Sequence, residues 1–420
     1  MPRLSNLVRN LTAETAFSVL ALARALKAQG KDVVELEIGD SPFPSTPHAK
    51  RAGILAIEEN ETGYCPSLGI PSFREAAARF VSAEFGYAAT AENVVVASGA
   101  KPFEQYFAEA VLEPGDGVLV FSPQFPTYVP NLQRRGARAV MVPLRVEDGF
   151  RPSAEDVRHF LATDPQPRAI LLNSPHNPTG GVATRAELAA IADVVRGTEL
   201  MVFSDEPYCH MVWDGRHESI LAEPGMLEHT VAAYTFSKSY SMSGWRIGFA
   251  VTSRELVDAI GKLINTSASC SPPLAQRAAQ AALELDAETR DEYMERFHRK
   301  VVRLCDGLER VEGFRVLRPA GTFYVFPDVR AACNRLGITS HGLALYLLEG
   351  ADDAFGVACL GGECFGDAGR GFLRFSCAEP DERIDQAIAF LPTALARADR
   401  VRRYLEANPL FALRQPYPMG

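Results

Sequence analysis

The segment VAAYTFSKSYSMSGWRIGFAV, residues 231–251, decides how this chain is read. Val231-Ala232-Ala233-Tyr234 and Ile247-Gly248-Phe249-Ala250-Val251 are short apolar runs, the pattern of strands covered on both faces. Between them stands Lys238, among Thr235, Ser237, Ser239 and Arg246. A lysine is ordinarily a solvated surface cation. One placed directly after a buried strand instead stands at the end of a sheet.

The same texture extends upstream. Val94–Ala97, Val118–Phe121, Ala169–Leu172 and Leu200–Phe203 read as further short strands. Helical patterns separate them. Ser98-Gly99-Ala100-Lys101-Pro102 opens one helix, with Pro102 suited to its first turn. Thr184 to Val195 forms another, with Thr184 as cap and Glu187 as its capping-box partner. Strands alternating with helices predict an α/β fold with a mostly parallel sheet covered by helices. After about residue 290 the pattern changes. Phe314–Leu317, Thr322–Phe326 and Gly371–Ser376 read as strands of a smaller α+β domain. Near the start, Phe17, Leu20, Leu22, Ala25 and Leu26 suggest the apolar face of an amphipathic helix.

Composition narrows the function classes. The 420 residues carry 43 basic and 52 acidic side chains, a formal charge of −9, which argues against a nucleic-acid partner. With 47% hydrophobic residues, the chain can bury enough apolar surface to fold. No run approaches the ~18 apolar residues of a membrane span. The eight cysteines form no CxxC pair and no Cys/His grouping at zinc spacing, so no metal site is expected and the thiols suit a cytoplasmic protein. No GxGxxG follows a strand, which disfavours a dinucleotide-binding dehydrogenase.

In an open α/β sheet, ligands bind beyond the carboxyl ends of the strands. There the chain places Ser98-Gly99-Ala100-Lys101, Pro123-Gln124-Phe125, Asn173 to Gly180, Asp205-Glu206-Pro207-Tyr208 and Thr235-Phe236-Ser237-Lys238. A helix start, an aromatic face, an amide, a carboxylate, a phenol and an amine together suit a flat, phosphorylated heteroaromatic aldehyde. Pyridoxal 5′-phosphate fits that description.

From Val34 to Ala394 the chain resembles the fold-type I pyridoxal phosphate-dependent aminotransferases of class I/II, the aspartate aminotransferase superfamily. The motifs IGDSPFPSTP, YCPSLGIPSFREA, ASGAKPF, NSPHNPTGG, SDEPY, TFSKSYSMSGWRIG and FLRFSCA stand in family order. The resemblance implies a large domain with a seven-stranded-type sheet and a small domain built from both chain ends. The corresponding boundaries are 1–45 for an N-terminal arm and part of the small domain, 46–290 for the large domain, 291–400 for the small domain and 401–420 for a tail.

The resemblance also implies roles. Lys238 is the Schiff-base lysine and later the general base; Asp205 pairs with the ring nitrogen. Tyr208 and Asn177 bond the ring's phenolic oxygen, and Phe125 stacks on the ring. The phosphate is held by the N–H groups of Gly99, Ala100 and Lys101, by Thr235 and Ser237, and by Arg246, eight residues after the lysine. Tyr64 reaches the phosphate of a neighbouring subunit, implying a homodimer with shared active sites. Arg374 grips the substrate α-carboxylate, and Gly39 lets backbone approach it. Asn177 also borders the substrate. Lys101 stands where some relatives read a distal carboxylate, which favours aspartate or glutamate.

The activity implied is ping-pong transfer of an amino group from an L-amino acid to a 2-oxo acid, with 2-oxoglutarate the expected acceptor. Because the fold also supports β-elimination, a C–S lyase is the alternative. A regulator fused to a DNA-binding module would need an N-terminal helix-turn-helix domain, and about 33 residues precede Val34.

Overall fold

The computed structural model describes residues 3–11 and 14–419. The outermost parts of the expected arm and tail, at residues 1–2 and 420, lie outside the described residues, as do residues 12–13.

Twelve strands are present among the described residues: β1 (Asp32–Glu35), β2 (Val94–Ala97), β3 (Gly117–Ser122), β4 (Arg138–Pro143), β5 (Pro167–Asn173), β6 (Met201–Asp205), β7 (Thr230–Thr235), β8 (Gly248–Val251), β9 (Tyr324–Val325), β10 (Phe355–Ala358), β11 (Leu360–Gly361) and β12 (Leu373–Ser376). Seven form the main sheet in the order β2-β8-β7-β6-β5-β3-β4. It is parallel except for β8, which runs antiparallel to both β2 and β7. The α/β fold read from the alternating pattern is therefore present. Every residue of β2, β3 and β8 is buried, because helices cover both faces.

Strand β4 escaped the sequence reading. Its burial is patchy, with Arg138, Met141 and Pro143 exposed, because it lies at the sheet edge with one neighbour. Pro143 ends it, where a missing N–H costs no ladder bond. The capping box at Thr184 is formed: the Glu187 N–H donates to Thr184 Oγ1 at 3.3 Å, and the Thr184 N–H donates to Glu187 Oε2 at 2.8 Å.

Two smaller sheets lie beside the main one. β1 pairs in parallel with β10, bringing together residues more than 300 positions apart. β11, β12 and β9 form an antiparallel sheet. Two readings need correction here. Phe314–Leu317 is not a strand, since only Arg315 makes a bridge, to Asp328. The helix Thr15–Ala28 exists, but it buries Ala16, Val19 and Ala23, while Phe17 is exposed. Small residues let that helix sit close to the sheet, and the larger Phe17 is turned elsewhere.

The C-terminal segment packs back on the helix Arg330–Leu336. Arg330 Nη1 donates to the Pro418 carbonyl at 2.8 Å, and the Tyr417 N–H donates to Asn334 Oδ1 at 2.7 Å. Among the described residues, no helix is long and apolar enough to cross a membrane.

Candidate active site

Strands β5, β6 and β7 are neighbours, in a register that sets Asn173 beside Asp205 and Asp205 beside Ala233. Their carboxyl ends therefore deliver Asn177, Asp205, Tyr208 and Lys238 to one place. The result is a cavity of about 510 Å³, lined by these residues together with Lys101, Phe125, Arg246 and Arg374. Small-molecule sites span roughly 300–1,000 Å³, so it has room for a cofactor together with a substrate.

Lys238 follows β7 in a turn and is half-buried. Its Nζ donates to the Gly39 carbonyl at 2.6 Å and lies 5.9 Å and 5.8 Å from the ring centres of Tyr208 and Phe323. Asp205 closes β6 and is buried. Tyr128 donates its hydroxyl to Asp205 Oδ2 at 2.6 Å, and Oδ1 has no hydrogen-bond partner among the described residues. Burial above all, then the charge of Glu206, pushes the Asp205 carboxyl up to about 6 against the Tyr128 hydrogen bond and the Lys101 and Lys238 cations. Glu206 itself is tied down by Ser204, Ser219, Tyr234 and His217, which anchors the turn after β6.

At one end of the cavity the groups suit an anion. Gly99 has φ +98°, which favours glycine, and a Cβ there would come within 2.8 Å of Arg246 Nη2 and push the guanidinium aside. Arg246 hangs over this turn by donating to the Ser98 and Ser243 carbonyls at 3.1 Å and 2.9 Å. Ala100 caps the helix Lys101–Val111, and the Ala100 and Lys101 N–H groups have no partner among the described residues. Pro102 has no N–H, and the Phe103 N–H donates to the Ala100 carbonyl at 3.0 Å. The Gly99 N–H, expected to face the anion, is already given to the Ala97 carbonyl at 2.8 Å. Thr235 and Ser237 hydroxyls lie 3.0 Å apart on the same rim.

Opposite stands Arg374 on β12, almost fully buried. Its Nη1 donates to Asn177 Oδ1 at 2.9 Å and its Nη2 to the Glu37 carbonyl at 2.6 Å, while Nε has no partner among the described residues. The guanidinium lies over Tyr324 and Phe365, 4.2 Å and 5.0 Å from their ring centres. A buried cation bonded to neutral oxygens is incompletely compensated. An incoming carboxylate would complete it. The nearby Glu37 carboxyl is no substitute, since burial pushes it up to about 7 and neither oxygen has a hydrogen-bond partner.

The residues fit pyridoxal phosphate. A buried acid with a free oxygen faces the cavity, an anion cradle lies at one end, and an amine stands between. Asn177 uses its Oδ1 on Arg374, leaving Nδ2 as a donor. Burial, followed by the neighbouring Tyr324, holds the Tyr208 hydroxyl well above the usual tyrosine range, so it too is a donor.

Among the residues singled out from sequence, the cavity lining holds Gly39, Ala100, Lys101, Phe125, Asn177, Asp205, Tyr208, Thr235, Ser237, Lys238, Arg246 and Arg374. Gly99 lies directly behind Arg246, and Tyr64 is apart from the cavity, 92% exposed. Sequence reasoning missed Tyr128, Tyr324, Glu104 and Glu14. A Cβ on Gly39 would lie 1.8 Å from Tyr324 Oη, so the tyrosine occupies the space the glycine vacates. The strand-like TFYVF carried a signal that Tyr324 is ordered, but nothing local aimed it at residue 39.

The model of the family described as aminotransferase class I and II matches residues 31–391. A probable aspartate/prephenate aminotransferase of Aquifex aeolicus is 35% identical over 93% of this chain and 98% of its own length. An arginine–pyruvate transaminase of Pseudomonas aeruginosa is 34% identical over 89% of this chain and 93% of its own. The solved structure of aspartate aminotransferase from Thermus thermophilus with maleate superposes with a TM-score of 0.87 at 32% identity, covering 94% of this chain and all of that one.

Proposed function

We propose that this chain, which belongs to the class I and II aminotransferases and is a pyridoxal phosphate-dependent transaminase, moves the amino group of an L-amino acid to 2-oxoglutarate in two half-reactions of ping-pong form. The observation that carries the reading is the convergence of Lys238, Asp205 and the carboxylate-lacking Arg374 on one cavity.

When bound, the cofactor supplies an aldehyde that captures the substrate amine and a protonated ring that withdraws electrons from Cα. Asp205 would pair with its ring nitrogen, Tyr208 and Asn177 would donate to its phenolic oxygen, and Phe125 would cover its ring. The Ala100 and Lys101 N–H groups, Thr235, Ser237 and Arg246 would hold its phosphate. Arg374 fixes the substrate carboxylate, which orients the Cα–H bond toward Lys238. Lys238 would remove the Cα proton of the bound substrate as general base. At the cavity rim, Lys101 offers a cation to a distal carboxylate, which supports aspartate or glutamate as donor.

The active unit is a homodimer acting in the cytoplasm. Ile54 and Ile57 are more than half exposed on the helix Pro47–Glu58, and Tyr64 is 92% exposed nearby in sequence, an apolar surface suited to a second copy. There, Tyr64 of one subunit reaches the phosphate of the other.

Initial rates with varied donor and 2-oxoglutarate test the kinetic scheme. Parallel double-reciprocal lines are expected, and intersecting lines would overturn the ping-pong order. Light scattering tests the assembly: a particle of one 45.8 kDa chain would overturn the dimer.

A further inference from the structure

The rim of the cavity contains an ion pair whose acid, Glu14, the transamination chemistry does not use. Lys101 Nζ donates to Glu14 Oε2 at 2.7 Å, with the two side chains 44% and 16% exposed. Glu14 stands at the N-cap of the helix Thr15–Ala28, yet makes no side-chain bond to that helix. Its carboxylate instead reaches a lysine 87 positions away. Both residues line the cavity, together with Ala16, Phe17 and Phe125. Lys101 Nζ also lies 5.1 Å from the Phe125 ring centre.

Asp205 and Glu104 are further acids that feel the Lys101 charge, and Glu104 lies one turn along the helix from Lys101. It is buried, and its Oε2 accepts from Thr127 and Asn131 at 2.6 Å and 2.9 Å. Burial, aided by the charge of Asp205, pushes it up to about 8, so at neutral pH it carries little charge toward Lys101. Asp205 is bonded by Tyr128 and Glu104 by Thr127 and Asn131, so Glu14 is the carboxylate in direct contact with Lys101 before substrate arrives.

A ping-pong transaminase receives two substrates in one pocket, and the two differ in the side chain they present at the rim. We propose that Glu14 is an internal stand-in for a substrate's distal carboxylate. It keeps Lys101 paired when the substrate side chain is neutral, and gives the lysine up when the substrate is a dicarboxylate. A pair this exposed to solvent contributes little net stability, so it exchanges readily. The apolar surfaces of Phe17, Ala16 and Phe125 then receive neutral side chains beside a cation that is already balanced. Glu14 is thus a specificity-determining residue: it lowers affinity for dicarboxylates through competition and makes neutral donors acceptable. This rests on the transaminase reading above.

The test uses the holoenzyme and its Glu14→Gln, Glu14→Ala and Lys101→Met variants. The readouts are kcat/KM for L-aspartate and for L-phenylalanine, and the dissociation constant of glutarate, an unreactive dicarboxylate, from its effect on the cofactor spectrum. Removing Glu14 should raise the aspartate-to-phenylalanine ratio roughly two- to fivefold and tighten glutarate by the same factor, the scale of one partly exposed ion pair. In the Lys101→Met background, Glu14→Ala should change neither. A ratio and a glutarate affinity unmoved by both Glu14 variants would overturn the inference, as would equal changes for the two donors. Failure of the parent enzyme to form any keto acid would instead count against the transaminase reading.

Discussion

The floor and the rim of the cavity hold charged groups in opposite conditions. On the floor, Asp205 and Arg374 are buried and fastened by Tyr128, Asn177 and the Glu37 carbonyl. On the rim, Lys101 and Glu14 pair in partial contact with solvent. Charges interact far more strongly where water is excluded, and screening weakens those that water reaches. Groups that must act on one bond of every substrate therefore belong on the floor. Groups that must tolerate different substrates can occupy the rim, where an interaction is weak enough to be exchanged.

That contrast predicts a graded series of losses. Lys238→Ala should abolish the absorbance of lysine-bound cofactor and slow transamination by at least about 10³-fold, the scale of losing both an anchoring amine and a general base. Single-turnover rates measure it, and a loss under tenfold would move the base elsewhere. Arg374→Ala should lower kcat/KM by roughly 10²–10³-fold for every donor, acidic or neutral, while cofactor titration stays unchanged. A loss confined to acidic donors would erase the distinction between floor and rim.

A smaller effect concerns pH and the cofactor-free protein. Asp205, Glu37 and Glu104 have folded-state carboxyl groups raised to about 6, 7 and 8, in each case chiefly by burial. The unfolded chain releases these protons near pH 4, so between that value and the raised ones it binds fewer protons than the folded chain. Stability from these groups is present below about pH 4 and lost as pH rises through 6 to 8. Thermal melts should show Tm falling across this window, and Glu104→Gln should flatten its upper part. The Lys101–Glu14 pair should leave no comparable trace in Tm. The smallest effects are the roughly two- to fivefold shifts in selectivity expected at Glu14 itself.

Legibility in the sequence follows the same division between local and distant causes. The strands with continuous apolar runs, and the Thr184–Glu187 capping box, were readable because neighbours in sequence produce them. Strand β4, half-exposed at an edge, offered no such run. Phe314–Leu317 had the composition of a strand but finds a single bridge at Arg315. Most of the residues singled out as a site line one cavity, since strand ends and motif order carried that information. Tyr128 and Tyr324 were not readable, because their partners Asp205 and Tyr208 lie 77 and 116 positions away.

By itself, the sequence determined the α/β architecture, the family and the residue types available for the chemistry. Periodicity, strand-end chemistry and motif order are properties of short segments, and they survive without knowledge of what packs against them. Tertiary structure alone decided which groups are paired and which are left over. It brought β1 against β10, placed Glu14 on Lys101 and, among the described residues, left Arg374 without a carboxylate and an oxygen of Asp205 unpartnered. Charge balance inside a cavity is set by what chain folding brings within a few ångströms, and separation along the sequence carries little trace of it.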